Sequence, residues 1–260
     1  IMKYAILLFV FSILLVLLIN FLASHFKLLI YKSNLNHKEK FNGIIFNTGG
    51  LIFFLFLVFI NIFNYKITNI YYYLFLSSIF LIGIFSDIKN INPNYRLLAI
   101  SFLCVLFINV SNNEILDLKF NIINNFFSNY PVISILFTSL CLIILINGSN
   151  FIDGVHGLVL LYGLVVLLFL NYFLIFVLDA EYSIQNGLGL IPVLLILLIL
   201  NFKEKVFFGD TGSYLLGASI GLYIIKTCNI NEYSYPYLYA NFLIYPAFEV
   251  FFSIFRKLCS

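Results

Sequence analysis

The chain has 260 residues, of which 63% are apolar and only 10% are charged, and its formal net charge is +3. A soluble domain carries about 25% charged residues, and the mean hydropathy of +1.07 excludes a surface that faces water. The apolar runs are continuous rather than alternating, which disfavours a β-barrel. The chain has no polybasic tract of the kind that binds nucleic acid. We therefore expect an all-α, polytopic membrane helical bundle that forms a single domain over residues 1–260.

Taken in chain order, the apolar runs predict nine membrane spans. They lie near residues 4–26, 49–63, 71–86, 97–110, 131–148, 157–178, 187–201, 213–228 and 236–255. Nine spans put the two ends of the chain on opposite faces, and the Lys and Arg content of the loops indicates which face is cytoplasmic. With the N-terminus outside, ten basic residues lie inside: Lys27, Lys32, Lys38, Lys40, Lys89, Arg96, Lys203, Lys205, Arg256 and Lys257. Four lie outside, namely Lys3, Lys66, Lys119 and Lys226. The bias predicts an N-out, C-in orientation.

The segments rich in Gly, Asn and Asp all fall on the predicted cytoplasmic side. They are residues 47–50, 83–87, 147–157 and 209–213, whereas the longest outside loop, 109–130, is plain. Carboxylates at a membrane surface are candidates for a functional site by default. We therefore expect an active site that faces the cytoplasm.

Three aspartates carry this hypothesis. Asp87 ends the third predicted span. Asp153 follows Asn147 and Asn150 at a spacing of three residues, which puts two amides and a carboxylate on one helical face. Asp210 lies in a Gly-Asp-Thr-Gly-Ser turn, whose glycines let backbone N–H groups approach a phosphate at the start of a helix. Three such carboxylates suit a hard divalent cation, although Asp210 taken alone could equally cap a helix.

Taken together and in this order, four motifs carry a resemblance. They are Gly49-Gly50; Asp87 with Pro93 and Arg96-Leu97-Leu98; Asn147-x-x-Asn150-x-x-Asp153-Gly154 with Gly157-Leu158; and Gly209-Asp210-x-Gly212-Ser213 with Leu216-Gly217. They resemble the polyprenyl-phosphate N-acetylhexosamine-1-phosphate transferases of glycosyltransferase family 4. That family includes the phospho-N-acetylmuramoyl-pentapeptide transferases and the undecaprenyl-phosphate N-acetylglucosamine-1-phosphate transferases. The resemblance covers residues 36–256.

The resemblance implies an enzyme that transfers an N-acetylhexosamine 1-phosphate from a UDP-sugar to undecaprenyl phosphate and releases UMP. It implies Mg²⁺, or Mn²⁺, as the cofactor. The expected partners are the UDP-N-acetylhexosamine, undecaprenyl phosphate and membrane lipid, with no nucleic acid, and a homodimer is left open. The expected place is the bacterial inner membrane, in the first membrane step of cell-wall, lipopolysaccharide or other polysaccharide synthesis.

The resemblance also implies roles for individual residues. The catalytic residues are Asp87, Asp153 and Asp210, and Asp210 and Asp87 are the metal ligands. The substrate-binding residues are Asn36, Lys38, Gly49, Gly50, Arg96, Asn147, Asn150, Gly154, Gly209, Gly212 and Ser213.

The sequence departs from the family pattern in several places. The family usually has two adjacent aspartates where this chain has Ser86-Asp87, so we expect Asp87 alone to orient the acceptor phosphate or take its proton. The Ser86 hydroxyl can still donate a hydrogen bond. Phe41 occupies a position where many members have His, and Glu249 one where Asp is common. The chain ends before the expected His-containing loop and last span, which predicts either a fragment or an incomplete site.

Two other classes of protein remain open. A transporter or channel could use the same three aspartates as ion ligands, although they lie at the ends of spans rather than at the midplane. An inactive relative could bind only prenyl phosphate, as the serine at position 86 and the early end of the chain would allow. Turnover of a UDP-N-acetylhexosamine would separate the enzyme from both alternatives.

Overall fold

A computed structural model describes residues 2–27, 29–31, 45–63, 70–89, 91–176, 184–230 and 236–259. Within these ranges the chain forms ten helices and a two-stranded sheet, which confirms the all-α class. The helices are α1 Met2–Phe26, α2 Gly49–Phe63, α3 Ile70–Lys89, α4 Pro93–Ser111, α5 Asn121–Asn129, α6 Pro131–Ile152, α7 Leu158–Phe176, α8 Ile184–Phe202, α9 Gly209–Ile230 and α10 Pro236–Cys259. Strands β1 (Ile30–Tyr31) and β2 (Ile45–Phe46) pair antiparallel.

Five of the described helices are long and apolar enough to cross a membrane. They are Ile6–Phe26, Ile70–Lys89, Pro93–Ser111, Pro131–Ile152 and Pro236–Arg256. Three shorter apolar helices add Gly49–Asn61, Leu158–Leu174 and Gly187–Phe202. The chain is therefore a polytopic helical membrane protein, while the number of nine spans and the N-out, C-in orientation stay predictions.

Several helices extend beyond the predicted spans at their polar ends. Helix α3 continues through Asp87 to Lys89, and α6 continues to Ile152. Helix α9 begins at Gly209, four residues before the predicted span. In each case polar side chains find partners on neighbouring helices, so the backbone stays helical where hydropathy falls. The segment interpreted as a plain outside loop also contains α5, a short amphipathic helix.

Helix α9 lies at the centre of the bundle, where it packs against α2, α3, α6 and α7. Glycines let α2 and α3 approach it closely. A Cβ atom on Gly50 would lie 2.5 Å from the backbone nitrogen of Gly212, and one on Gly83 would lie 2.5 Å from Cα of Thr211. The beginning of α2, the end of α3 and the beginning of α9 therefore meet at one end of the bundle.

The segment before α9 is held in place by strand β2. The N–H of Phe46 donates to the carbonyl of Lys205 at 3.1 Å, and the N–H of Phe207 donates back to the carbonyl of Phe46 at 2.8 Å. The N–H of Gly49 then donates to the carbonyl of Phe207 at 3.0 Å. These bonds fix the turn at Gly209 against the first turn of α2.

Candidate active site

Asp87 caps the N-terminus of α9. Its Oδ1 accepts a hydrogen bond from the N–H of Asp210 at 2.9 Å. Its Oδ2 accepts two from Thr211, one from the N–H at 3.1 Å and one from Oγ1 at 2.5 Å. The first N–H groups of a helix have no intrahelical partner and carry partial positive charge, so a carboxylate there is stabilising. These N–H groups, which we expected to meet a phosphate, meet Asp87 instead.

The two glycines that flank Asp210 have separate structural reasons. Gly209 has φ of 71°, the left-handed conformation that favours glycine. A Cβ atom there would also lie 2.6 Å from Oδ1 of Asn47 and 2.9 Å from Oδ2 of Asp87. Gly212 instead makes room for an aromatic ring, since its Cβ atom would lie 2.5 Å from Cδ2 of Phe208. Gly212 therefore has a packing reason of its own, and its phosphate-binding role stays a prediction.

Asp210 forms a compact polar cluster with Arg96 and Ser86. Nη1 of Arg96 forms an ion pair with Oδ2 of Asp210, and it also donates to Oγ of Ser86 at 2.5 Å. The Ser86 hydroxyl donates to the same Oδ2 of Asp210. Ser86 is fully buried, whereas the side chains of Arg96 and Asp210 are 17% and 29% exposed. The prediction that Ser86 can still donate a hydrogen bond is confirmed.

The start of helix α4 positions Arg96. The side chain of Asn92 accepts a hydrogen bond from the N–H of Asn94 at 3.0 Å, and Pro93 occupies the first helical position. Both features favour the beginning of a helix at this point. Arg96 therefore lies in the first turn of α4, beside the last turn of α3, which carries Ser86.

Helix α6 contributes Asn150 to the same end of the bundle. Oδ1 of Asn150 accepts a hydrogen bond from the hydroxyl of Ser213 at 2.9 Å, and its Nδ2 donates to the hydroxyl of Tyr214 at 3.3 Å. Asn147, by contrast, donates to the carbonyl of Ile143 in its own helix at 3.0 Å. The structure thus joins Asn150 and Ser213, and it gives Asn147 a bond within α6.

Asp153 ends helix α6 as its C-cap and is partly buried. Burial raises the pKa of this carboxyl well above its usual value, and the negative charges of Asp210 and Asp87 raise it further. Asp153 lies three residues after Asn150, which is bonded to Ser213 near the beginning of α9, so its carboxyl group lies at the same end of the bundle as Asp87 and Asp210. The predicted gathering of Asp87, Asp153 and Asp210 at one end of the bundle is what the structure shows.

The family model described as "Glycosyl transferase family 4" matches residues 69–228, which is more than half of the chain. The chain belongs to glycosyl transferase family 4. Members of this family are in general phosphotransferases that move a sugar 1-phosphate to a polyprenyl phosphate. The matched residues include the three aspartates, Arg96 and Asn150. A search of the curated proteins found no match.

Some predicted site residues of this family 4 chain play packing roles or fall outside the described ranges. A Cβ atom on Gly49 would lie 2.6 Å from the carbonyl oxygen of Phe207, so Gly49 permits a close helix contact. Gly154 is exposed, and the nearest atom to its Cβ position lies 3.4 Å away. Asn36 and Lys38 lie outside the described residues, as does Phe41.

Two residues of the site were not among those predicted from the sequence. Thr211 donates two of the three hydrogen bonds that Asp87 accepts. The sequence signal for this role was its position directly after Asp210 at the beginning of a helix. Asn47 presents a buried Oδ1 that accepts no hydrogen bond from the part of the chain that the structure describes. That oxygen lies next to Gly209, and the only signal was its position just before the Gly-Gly motif.

The donor atoms of this family 4 site fit a magnesium ion. Within the described ranges no group of three or more His, Cys, Asp or Glu could hold a metal. Mg²⁺, however, often takes only one or two protein carboxylates and completes its shell with water and phosphate oxygens. Asp210 is partly exposed, and its contacts to Arg96 and Ser86 both involve Oδ2. The buried Oδ1 of Asn47 is a second hard oxygen, and no described residue donates a hydrogen bond to it. Asp87 is engaged by helix α9, so Asp210 fits best.

Proposed function

We propose that this chain transfers an N-acetylhexosamine 1-phosphate from a UDP-sugar to undecaprenyl phosphate and releases UMP. One observation carries the proposal: Asp87, Asp153, Asp210 and Arg96 lie together at one end of an apolar helical bundle, inside the stretch that matches the family. The acceptor is dissolved in the membrane and the donor in water. Only a site at the end of the spans serves both substrates.

The reaction exchanges one diphosphate linkage for another. An oxygen of the lipid phosphate bonds to the phosphorus that carries the sugar, and the bond from that phosphorus to the bridging oxygen of UMP breaks. Because bonds of the same kind form and break, the step is near balance, and catalysis depends on positioning and on neutralising charge. A bound Mg²⁺ supplies positive charge to the phosphate oxygens.

The residues of the site have separate roles in this reaction. Asp210 would hold the Mg²⁺ ion, and the planar guanidinium of Arg96 is suited to bind phosphate oxygens. Asp87 keeps the first turn of α9 in position through its three hydrogen bonds. Asp153 adds a third carboxyl group at the same end of the bundle, where burial, together with the charges of Asp210 and Asp87, raises its pKa.

We propose the cytoplasmic face of the bacterial inner membrane as the location of this site. The ten-to-four bias of basic residues supports this orientation. Lys203 and Lys205 come just before α9, and the carbonyl of Lys205 is bonded to β2 beside the site. These lysines therefore lie at the same end of the bundle as the carboxylates. Such a reaction would begin the synthesis of a cell-wall polymer, lipopolysaccharide or another surface polysaccharide.

The direct test is turnover in membranes that contain the chain. We expect lipid-linked product and UMP when undecaprenyl phosphate, Mg²⁺ and a labelled UDP-N-acetylhexosamine are supplied. The UDP-sugars of N-acetylglucosamine and its epimers should be tried in parallel, because they differ by single hydroxyl groups. Absence of turnover with all of them, in a folded preparation, would contradict the proposal.

Asp210→Asn should lose at least about 10²-fold in turnover while it keeps the fold, since it removes the charge that would hold the cation. Asp117→Asn is the matched control, because Asp117 is an exposed aspartate that pairs with Lys119 away from the site. The control should keep the parent rate. A rate for Asp210→Asn within tenfold of the parent would remove Asp210 from the metal site.

A further inference from the structure

The guanidinium of Arg96 contacts the Asp210 carboxylate, which is the cation ligand in the proposed function. Its Nη1 contacts Oδ2 of Asp210. An arginine is permanently charged, so it places a fixed positive charge beside any cation that binds Asp210. Two like charges a few ångströms apart repel strongly in a partly buried site. Arg96, as it stands here, therefore weakens cation binding.

Ser86 helps to keep Arg96 in this place. Its hydroxyl accepts a hydrogen bond from Nη1 of Arg96 and donates one to the same Oδ2 of Asp210. Because Ser86 is buried in the last turns of α3, its hydroxyl is held in position by the packing of that helix. We call these three side chains, Ser86, Arg96 and Asp210, the arginine latch.

The latch leaves a polar atom of Arg96 unsatisfied. Nε of Arg96 is buried and has no hydrogen-bond acceptor among the described residues. A buried donor without a partner is unfavourable, because it has lost its hydrogen bond to water and gained none in return. A phosphate group offers several acceptor oxygens, and the guanidinium can bind two of them side by side. Arg96 therefore gains a partner for Nε when it turns from the Asp210 carboxylate toward a phosphate.

We propose that the arginine latch makes a phosphate monoester and a divalent cation bind cooperatively. The phosphate draws the Arg96 guanidinium away from Oδ2 of Asp210 and neutralises its charge, which releases that carboxylate from the ion pair and makes it available to the cation. The cation in turn removes the carboxylate that competes with phosphate for Arg96. This inference rests on the proposed function, because that function assigns the cation to Asp210. It adds that Ser86 is a positioning residue, which acts through Arg96.

The test measures Mn²⁺ binding to the purified chain in detergent by electron paramagnetic resonance, with and without farnesyl monophosphate. The parent should bind Mn²⁺ at least about fivefold more tightly when farnesyl monophosphate is present, since couplings of this kind are typically 5–150-fold. The reciprocal titration should show farnesyl monophosphate binding more tightly by the same factor when Mn²⁺ is present. The signal of Asp210→Asn, which lacks the proposed cation ligand, is subtracted as background.

Arg96→Gln should bind Mn²⁺ more tightly than the parent without farnesyl monophosphate, and the coupling should disappear. Lys89→Gln is the matched control, because Lys89 is an exposed basic residue in the last turn of α3. It removes the same charge at the same end of the bundle and should leave the coupling intact. Thermal unfolding checks that each variant is folded. Arg96→Lys is a second variant: lysine keeps the positive charge but cannot bind two acceptor oxygens side by side.

Ser86→Ala should also tighten Mn²⁺ binding and reduce the coupling, by less than Arg96→Gln does. Ser78→Ala is its control, since the Ser78 hydroxyl lies on the same helix and donates to the carbonyl of Leu74 in that helix. Ser78→Ala should behave as the parent.

The outcomes separate this inference from the proposed function. If Mn²⁺ and farnesyl monophosphate both bind the parent but independently, the latch is refuted and the proposed function stands. If Arg96→Gln weakens Mn²⁺ binding, Arg96 supports the cation rather than opposing it, and the latch is again refuted. If Mn²⁺ binds the parent no better than Asp210→Asn, the metal site of the proposed function fails together with the latch.

Discussion

Asp87 and Thr211 are joined by two hydrogen bonds, one from the backbone N–H and one from the hydroxyl of Thr211, both to Oδ2 of Asp87. The pair ties the end of α3 to the beginning of α9, which is the central helix of the bundle. Because Asp210 is the neighbour of Thr211, this tie also fixes where the proposed metal ligand lies. Asp87 thus has a structural task that is separate from any direct role in transfer.

Asp87→Asn should reduce both stability and turnover. The amide keeps one oxygen but turns an NH₂ group toward donors of α9, so one or more of the bonds to Asp210 and Thr211 is lost. We expect a cost of about 1–3 kcal/mol in the free energy of unfolding. Thermal unfolding in detergent measures it, with Asp117→Asn as the control for loss of an aspartate charge.

Thr211 provides a check on this interpretation. Thr211→Ser keeps the hydroxyl and should stay within about 1 kcal/mol of the parent, whereas Thr211→Val removes the bond to Oδ2 of Asp87 and should cost about 1–3 kcal/mol. Equal stabilities for the two variants would show that the cap depends on the backbone bonds alone.

Gly50→Ala should destabilise the bundle and lower turnover. The added Cβ would lie 2.5 Å from the backbone nitrogen of Gly212, a contact that forces α2 and α9 apart. Overpacking of this kind typically costs about 1–3 kcal/mol. Unfolding midpoints in detergent test the expectation. Gly154→Ala is the comparison, because its nearest contact would be 3.4 Å, and its midpoint should match that of the parent.

Asp153→Asn should stabilise the protein at neutral pH and have little effect in acid. Burial and the charges of Asp210 and Asp87 raise the pKa of Asp153 in the folded state. A carboxyl with a raised folded pKa contributes its full stability below its unfolded pKa, about 3.9, and loses it as the pH rises through the folded value. The asparagine has no such loss, so its advantage should grow with pH.

Unfolding midpoints of the parent and Asp153→Asn, recorded from about pH 4 to pH 8 with EDTA present, give the measurement. EDTA removes divalent cations, which would otherwise offset the repulsion among the carboxylates. A constant difference between the two proteins across this range would mean that Asp153 does not change its protonation on folding.

The predicted orientation can be tested by labelling single cysteines in a background without the four native ones. Asn125→Cys, in α5, should react with a membrane-impermeant maleimide added from outside intact cells. Lys203→Cys, in the segment before α9, should react only after the membrane is permeabilised. Both residues are exposed, so the comparison depends on the side of the membrane. The opposite labelling pattern would overturn the N-out, C-in prediction and the cytoplasmic site with it.

The sequence by itself determined the class of protein and the residues on which the site is built. Continuous apolar runs require lipid around helices, and this follows from composition without any knowledge of packing. The order of the Gly, Asn and Asp segments along alternating spans was enough to place Asp87, Asp153 and Asp210 at one end. These are properties of local sequence and of the alternation of spans, so they can be read residue by residue.

Only the tertiary structure decided which partner each of these side chains has. Asp87 and the N–H of Asp210 are 123 residues apart in the chain, and Arg96 and Asp210 are 114 apart. No local pattern specifies such a contact, because it depends on how closely α2 and α3 approach α9 at their glycines. From the sequence, the first N–H groups of α9 were therefore expected to bind a phosphate. In the folded chain they donate to Asp87 instead, and the Asp210 carboxylate contacts Ser86 and Arg96.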